Sequence, residues 1–183
     1  MSSVTLVAGV SGSGKTTLVR ALSLRYPDTI AVPVAFATRS PRKGERDGVD
    51  YHFVLPETYR TLANEGVLLT DITYNGQRYG YSRNEFAQAL GSGRRILAPV
   101  DRIGVAQVRL VYPDTAVTFL DAAPDVQRGR IGGRETVEAM QARLAISQDE
   151  RDWAHQNAQT VTLVSPGLEL EEIVRIIEQI IFG

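Results

Sequence analysis

Eight consecutive residues, Gly9-Val10-Ser11-Gly12-Ser13-Gly14-Lys15-Thr16, fit the pattern G-x-x-x-x-G-K-S/T at every position. Such a run binds polyphosphate. Its glycines let successive backbone N–H groups turn inward around the α- and β-phosphates, where Cβ atoms would stand in the way. A helix starting at the lysine adds roughly half a positive charge at its N-terminus. Lys15 reaches the β- and γ-phosphates, and the Thr16 hydroxyl is a hard oxygen ligand of the kind Mg²⁺ takes. Gly9, Ser11, Gly12, Ser13, Gly14, Lys15, Thr16 and Thr17 are therefore the expected ATP-binding residues. The competing reading is a glycine-rich turn before an unrelated helix. It fits poorly with the apolar run at 4–8 and with the helical spacing of Leu18, Leu22 and Arg25 that follows.

Three further sets carry charge that such a site could use. Asp101 directly follows the apolar segment 95–100. From that position a carboxylate can hold Mg²⁺ through water, so Thr16 and Asp101 are the candidate metal residues. Asp is equally a common helix N-cap, and position alone does not choose between the two. Arg39, Arg42, Lys43 and Arg46 fall within eight residues, with Tyr51 close behind. Guanidinium forks bind phosphate oxygens bidentately, which suggests a pocket for an acceptor phosphate; the alternative is a solvated basic loop. Finally, Arg128, Arg130, Arg134 and Arg143 surround Gly132-Gly133. Arginines on a closing segment would offset charge on a migrating phosphoryl group and keep water out, or would form ordinary surface ion pairs with Glu135 and Glu138.

Alternating strands and helices must position these groups. The pattern predicts strands at 4–8, 31–37, 51–54, 95–100, 116–121 and 160–164, and a hairpin over 67–81 turning at Asn75-Gly76. Pro33 would put the second strand at an edge or an irregular point of its sheet. Helices are expected at 15–25, 56–65, 84–90, 103–112, 125–131, 136–157 and 168–181. This order implies an α/β fold with a parallel sheet covered on both faces, in one unit with inserted pieces.

Composition narrows the classes. At 183 residues the chain has the size of one domain, and its 43% hydrophobic and 22% charged residues match ordinary globular proteins. There is no cysteine, and only two histidines, His52 and His155, which excludes disulfide scaffolds and argues against a multi-histidine metal centre. A formal charge of −1 gives no reason to expect nucleic-acid binding. No apolar run approaches the roughly 20 residues of a membrane span, and the N-terminus lacks the features of a signal peptide. The expectation is a cytoplasmic protein, monomer or homodimer, acting on small-molecule nucleotides, with no nucleic-acid or membrane partner.

Taken together, the motifs resemble those of the guanylate kinase family. GVSGSGKTTL resembles its GPSGSGKSTL loop, and the segment TRSPRKGERDGVDYHFV at 38–54 resembles its TTRxPRxGExxGxDYxFV, the most diagnostic stretch. NGQRYGYS at 75–82, VDRIGVAQV at 100–108 and RIGGRE at 130–135 resemble its hairpin, its IDxQGAxQV helix start and its RLxGRGT lid. The resemblance implies a P-loop core at 1–33, 84–125 and 145–183, a small monophosphate-binding subdomain at 34–83, and a lid at about 126–144. It also implies Mg²⁺-dependent phosphotransfer from ATP to GMP, dGMP or a modified purine monophosphate. Arg39, Arg42, Glu45, Tyr51, Thr70, Tyr79 and Asp101 would surround the acceptor, and Lys15, Arg130, Arg134 and Arg143 would serve the transferred group.

Some positions depart from the family. Ala35 stands where the family has a base-reading serine, and Thr70 where it has a glutamate, with Asp71 next to it. Pro99 replaces the first aspartate of its D-x-D pattern, Tyr81 the threonine or serine after Tyr-Gly, and Ser165-Pro166 an asparagine near the adenine. Two other readings therefore stand beside a nucleotide kinase. One is a phosphosugar kinase related to the ribose 1,5-bisphosphate kinases, whose acceptor has no base. The other is a non-catalytic interaction module, against which the intact Lys15-Thr16 pair argues.

Overall fold

The computed structural model describes residues 2–131, 137–164 and 169–182. Its main sheet is built on β1, Val4–Gly9, whose six residues are all buried. A strand covered on both faces needs a continuous apolar run rather than an alternating one, which is what residues 4–8 supply. On one side of β1 lie β7 (Arg95–Pro99) and then β2 (Ile30–Ala31); on the other lie β8 (Ala116–Ala122) and then β9 (Thr160–Val164). Every pairing is parallel. Helix α1 (Lys15–Arg25) carries the chain from β1 towards β2, and α4 (Arg102–Val111) carries it from β7 across β1 to β8. The two crossovers run in opposite directions along the sheet, so a crevice opens at the carboxyl ends of the central strands. The register aligns Val7 with Pro99 and Gly9 with Leu120, and so brings the loops after β1 and β7 to that crevice together.

Helix α1 packs against β1, β2, β7 and α7 (Leu170–Phe182), whereas α4 and α6 (Val137–Asn157) pack against β1. Leu6, Leu22, Ile96, Phe119 and Ile177 are fully enclosed between these layers. Among the described residues no helix is long and apolar enough to cross a membrane.

A second sheet of four strands runs in the order β4 (His52–Phe53), β3 (Ala35–Ala37), β6 (Gln77–Tyr81), β5 (Ile72–Tyr74). The strand expected over 31–37 is thus divided between two sheets. Pro33 has no N–H to give a ladder, and the Val34 N–H donates instead to Glu85 Oε2 at 2.6 Å. Glu85 lies in α3 (Arg83–Gly91) and its other oxygen meets His52 Nε2 at 2.8 Å, so one carboxylate ties the crossing chain to β4. The hairpin turns at Asn75-Gly76 as expected, but its first strand begins only at Ile72. Before it, the Thr70 hydroxyl accepts the Tyr81 N–H at 2.9 Å, in place of a main-chain carbonyl. Gln107 of α4 fastens this sheet to the core, accepting from Asp71 N at 2.9 Å and donating to Asp71 O at 3.2 Å.

Candidate active site

The loop between β1 and α1 separates two cavities. Gly12, Lys15 and Thr16 line both. Gly9 closes β1 where its Cα faces the Leu120 carbonyl so closely that any side chain would run into it; the next residue, Val10, donates its N–H to that same carbonyl at 3.1 Å. These contacts pin the start of the loop to β8. From within α5 (Pro124–Ile131), the fully buried Gln127 braces the loop, donating to Ser11 O at 3.0 Å and to Ser147 Oγ at 3.1 Å. Lys15 Nζ lies back over the loop, donating to Gly9 O at 2.6 Å and Val10 O at 3.0 Å. An ammonium has three donors and keeps one beyond those two. Burial lowers the Lys15 pKa, and the nearby carboxylates of Glu150 and Asp101 partly offset that.

The larger cavity, about 670 Å³, is lined by Gly12, Ser13, Gly14, Thr16 and Thr17 at one end and by Leu120, Leu170 and Ile173 at the other. Ser13 Oγ is buried there and has no hydrogen-bond partner among the described residues. A buried, orphaned hydroxyl beside the N-terminus of α1 and an apolar end make a receptacle for a nucleoside polyphosphate.

The smaller cavity, about 300 Å³, lies between the two sheets, with Arg39, Arg42, Tyr51 and Tyr79 opposite Lys15 and Thr16. Arg39 is rigidly held. Glu45 takes both ends of its fork, at 2.6 and 2.7 Å, and its guanidinium lies over the rings of Tyr51 and Phe53, 4.9 and 5.4 Å from their centroids. Glu45, which the family resemblance groups with the residues around the acceptor, is not among the residues lining this cavity and sits behind Arg39. Its negative charge beside an acceptor phosphate would repel it, and its oxygens are engaged by Arg39 and by the Arg42 N–H at 2.7 Å. The Tyr51 and Tyr79 rings meet edge to face at 6.0 Å. Burial pushes the Tyr51 hydroxyl pKa up, so it stays protonated and able to donate at neutral pH.

Asp101 fills one of the two roles that its sequence position left open, that of helix cap. Its Oδ1 accepts the Gly104 N–H at 2.8 Å as the N-cap of α4, and it also lines the smaller cavity within electrostatic reach of Lys15. Glu150, on α6, lines the same cavity. Burial raises its carboxyl pKa, with Lys15 pulling the other way. Nothing local in the sequence marked it, because it sits in a long polar helix and reaches the loop only through the fold. Gln127 escaped notice for the same reason. Thr70 does line the cavity but is only 1% exposed, with its oxygen engaged by Tyr81 N. Arg134 lies outside the described residues, as do Ser165 and Pro166; of Arg130 and Arg143 only the helical backbone is described.

Thr16 and Asp101 line the smaller cavity together with Lys15, and a hydroxyl and a carboxylate are hard oxygen donors of the kind that suits Mg²⁺. Among the described residues no group of three or more His, Cys, Asp and Glu could hold a metal alone. An ion here would be shared between the chain, phosphate oxygens and water.

A family model described as guanylate kinase matches residues 1–182. A guanylate kinase of Thiobacillus denitrificans is 35% identical over 180 residues, spanning 96% of this chain and 85% of that protein. One from Thermobifida fusca is 37% identical over 166 residues, spanning 88% of this chain and 83% of that protein. The fold is similar to the crystal structure of guanylate kinase from Anaplasma phagocytophilum, with a TM-score of 0.76 over 97% of this chain and 83% of that one, at 21% identity.

Proposed function

The chain belongs to the guanylate kinase family, and from that premise we infer that it transfers the γ-phosphoryl group of ATP to the phosphate of GMP, giving ADP and GDP. The observation that carries this reading is Lys15 standing between two cavities, one floored by the phosphate loop and the other walled by arginines and tyrosines. A donor triphosphate in the first and an acceptor phosphate in the second would meet at the lysine.

The reaction asks little covalent chemistry of the protein. The attacking atom is an acceptor phosphate oxygen, already ionised near neutral pH, so no strong general base is needed. Catalysis rests on alignment and on charge placed where the transition state develops it. Arg39, held by Glu45, and Arg42 grip the acceptor phosphate, with the hydroxyls of Tyr51 and Tyr79 as further donors. Lys15 exchanges its contacts with the loop carbonyls for β- and γ-phosphate oxygens. Thr16 and Asp101 would hold Mg²⁺, which would supply positive charge to neutralise part of that on the phosphate oxygens. Arg130, Arg134 and Arg143, which the family resemblance assigns to a lid over about 126–144, would serve the migrating group. Residues 34–83 form the acceptor-binding subdomain, and residues 1–33, 84–125 and 145–183 the core. The enzyme acts in the cytoplasm as a monomer or homodimer, on nucleotides rather than nucleic acid or membrane.

The phosphosugar kinase and the interaction module have less support. The relatives are guanylate kinases over nearly their whole length, and a pure scaffold has no use for Lys15 and Thr16 at the meeting of two cavities. An ADP-release assay with Mg²⁺, ATP and GMP tests the reading. Turnover is expected in the wild type, and Lys15→Ala should lower it by about 10²–10³ with the circular dichroism spectrum unchanged. A Lys15→Ala enzyme within threefold of wild type would contradict it.

A further inference from the structure

The phosphate loop is pinned to β8 at Val10, whose N–H meets the Leu120 carbonyl. One residue later it is held from a different side, by Gln127 of α5. The Gln127 side chain is fully buried and is not among the residues lining either cavity. Both hydrogens of its amide are committed, one to Ser11 O at 3.0 Å and one to Ser147 Oγ of α6 at 3.1 Å. Its oxygen accepts from Arg151 Nη2 at 3.4 Å. Arg151 is fixed in its turn. Its Nε donates to both Asp121 oxygens, at 2.9 and 3.0 Å, and its Nη2 to Ala122 O at 3.1 Å. A continuous polar chain thus runs from the end of β8 through α6 and α5 to a single carbonyl of the loop.

The direction of that carbonyl fixes the direction of its neighbour. Among the described residues no peptide bond is cis, and in a planar trans unit the C=O and the N–H point opposite ways. With Ser11 O drawn towards α5, the Gly12 N–H is turned away from it, and Gly12 lines both cavities. We propose that Gln127 is a positioning residue for the phosphoryl donor: by holding the plane of the Ser11–Gly12 peptide, it aims the Gly12 N–H at the polyphosphate. Turning that plane over would strand a buried amide donor, so the orientation is set before any nucleotide arrives. A donor fixed in advance costs the ligand no reorganisation. The inference rests on the reading above only in taking the larger cavity as the ATP site.

Titration calorimetry with a non-hydrolysable ATP analogue and Mg²⁺, and separately with GMP, tests this. Gln127→Leu is close in size and has no donor. It is expected to bind the ATP analogue about tenfold more weakly, part of the worth of a charged hydrogen bond, and GMP within about twofold of wild type. In steady state KM for ATP should rise by the same factor, with kcat and KM for GMP nearly unchanged, as for a contact made equally in ground and transition states. Ser147→Ala removes the other partner of the amide and leaves Ser11 O held. It should lower the thermal midpoint yet bind the ATP analogue within about twofold of wild type. A purely structural brace would show otherwise: a less stable Gln127→Leu with unchanged ATP affinity, or equal weakening towards ATP and GMP, would overturn the proposal. Should Gln127→Leu not fold, Gln127→Glu keeps the size and offers Arg151 a counter-charge, but its carboxylate cannot donate to Ser11 O. The same tenfold loss is expected of it, and wild-type affinity would overturn the proposal. Wild-type protein that binds the ATP analogue but phosphorylates no GMP would overturn the phosphotransfer reading instead, because the role of Gln127 is read from binding alone.

Discussion

Arg39 and Arg42 both line the smaller cavity, and among the described residues the Arg39 guanidinium is held by a network of partners, Glu45, Tyr51 and Phe53. Arg42 is anchored through its backbone N–H, so its guanidinium is the group whose geometry the ligand must use. A lysine in its place keeps the charge and loses the fork. For Arg42→Lys the acceptor KM is expected to rise by about tenfold to a hundredfold, the worth of a charged hydrogen bond, with KM for ATP nearly unchanged. Equal effects on both substrates in steady-state kinetics would favour a merely solvated loop. Glu45 offers a pH test. Arg39, chiefly by its hydrogen bonds, lowers the Glu45 pKa below the ordinary glutamate value. A lowered folded-state pKa contributes stability that is fully present above the unfolded value of about 4.3 and is lost as pH falls through the folded one. Glu45→Gln should therefore be less stable than wild type at neutral pH, with the gap closing in acid. Urea titrations at several pH values measure it; a constant gap would mean that the charge is not what matters.

At the scale of elements, the hairpin decides where the acceptor lies, and it is built around one close approach. A side chain on Gly80 would run into the Thr70 carbonyl and the Tyr59 hydroxyl, one of them unyielding backbone. Gly80→Ala should cost roughly 1–3 kcal/mol, the usual range for overpacking, and should weaken acceptor binding more than ATP binding. Thermal unfolding and separate titrations with each nucleotide would show it; equal loss of both would place the damage outside the hairpin. These elements were largely legible in the sequence. The buried run of β1, the motif after it and the turn at Asn75-Gly76 are local signals, and local signals survive folding. The division of residues 31–37 between two sheets was only half visible, in Pro33, because the other half is Glu85 capturing the Val34 N–H from a distant helix. Likewise the sequence motif grouped Glu45 with the phosphate binders, although charge repulsion alone argues for its place behind Arg39. Glu150 and Gln127 carry no local mark at all, since only tertiary packing brings α5 and α6 onto the loop.

For the whole molecule, parallel crossovers in opposite directions open a crevice beside β1, and a second sheet carried on the chain between β2 and β7 walls its far side. One lysine then lines both the larger and the smaller cavity, the proposed donor and acceptor sites. The account's central claim is that the phosphoryl group passes between them rather than to water. The most direct measurement follows the γ-phosphate: ATP labelled there is incubated with Mg²⁺, GMP and the protein, and the products are separated. The account predicts that the label appears in GDP in step with ADP, with little inorganic phosphate. Label released as inorganic phosphate irrespective of GMP, or retained in ATP, would contradict it.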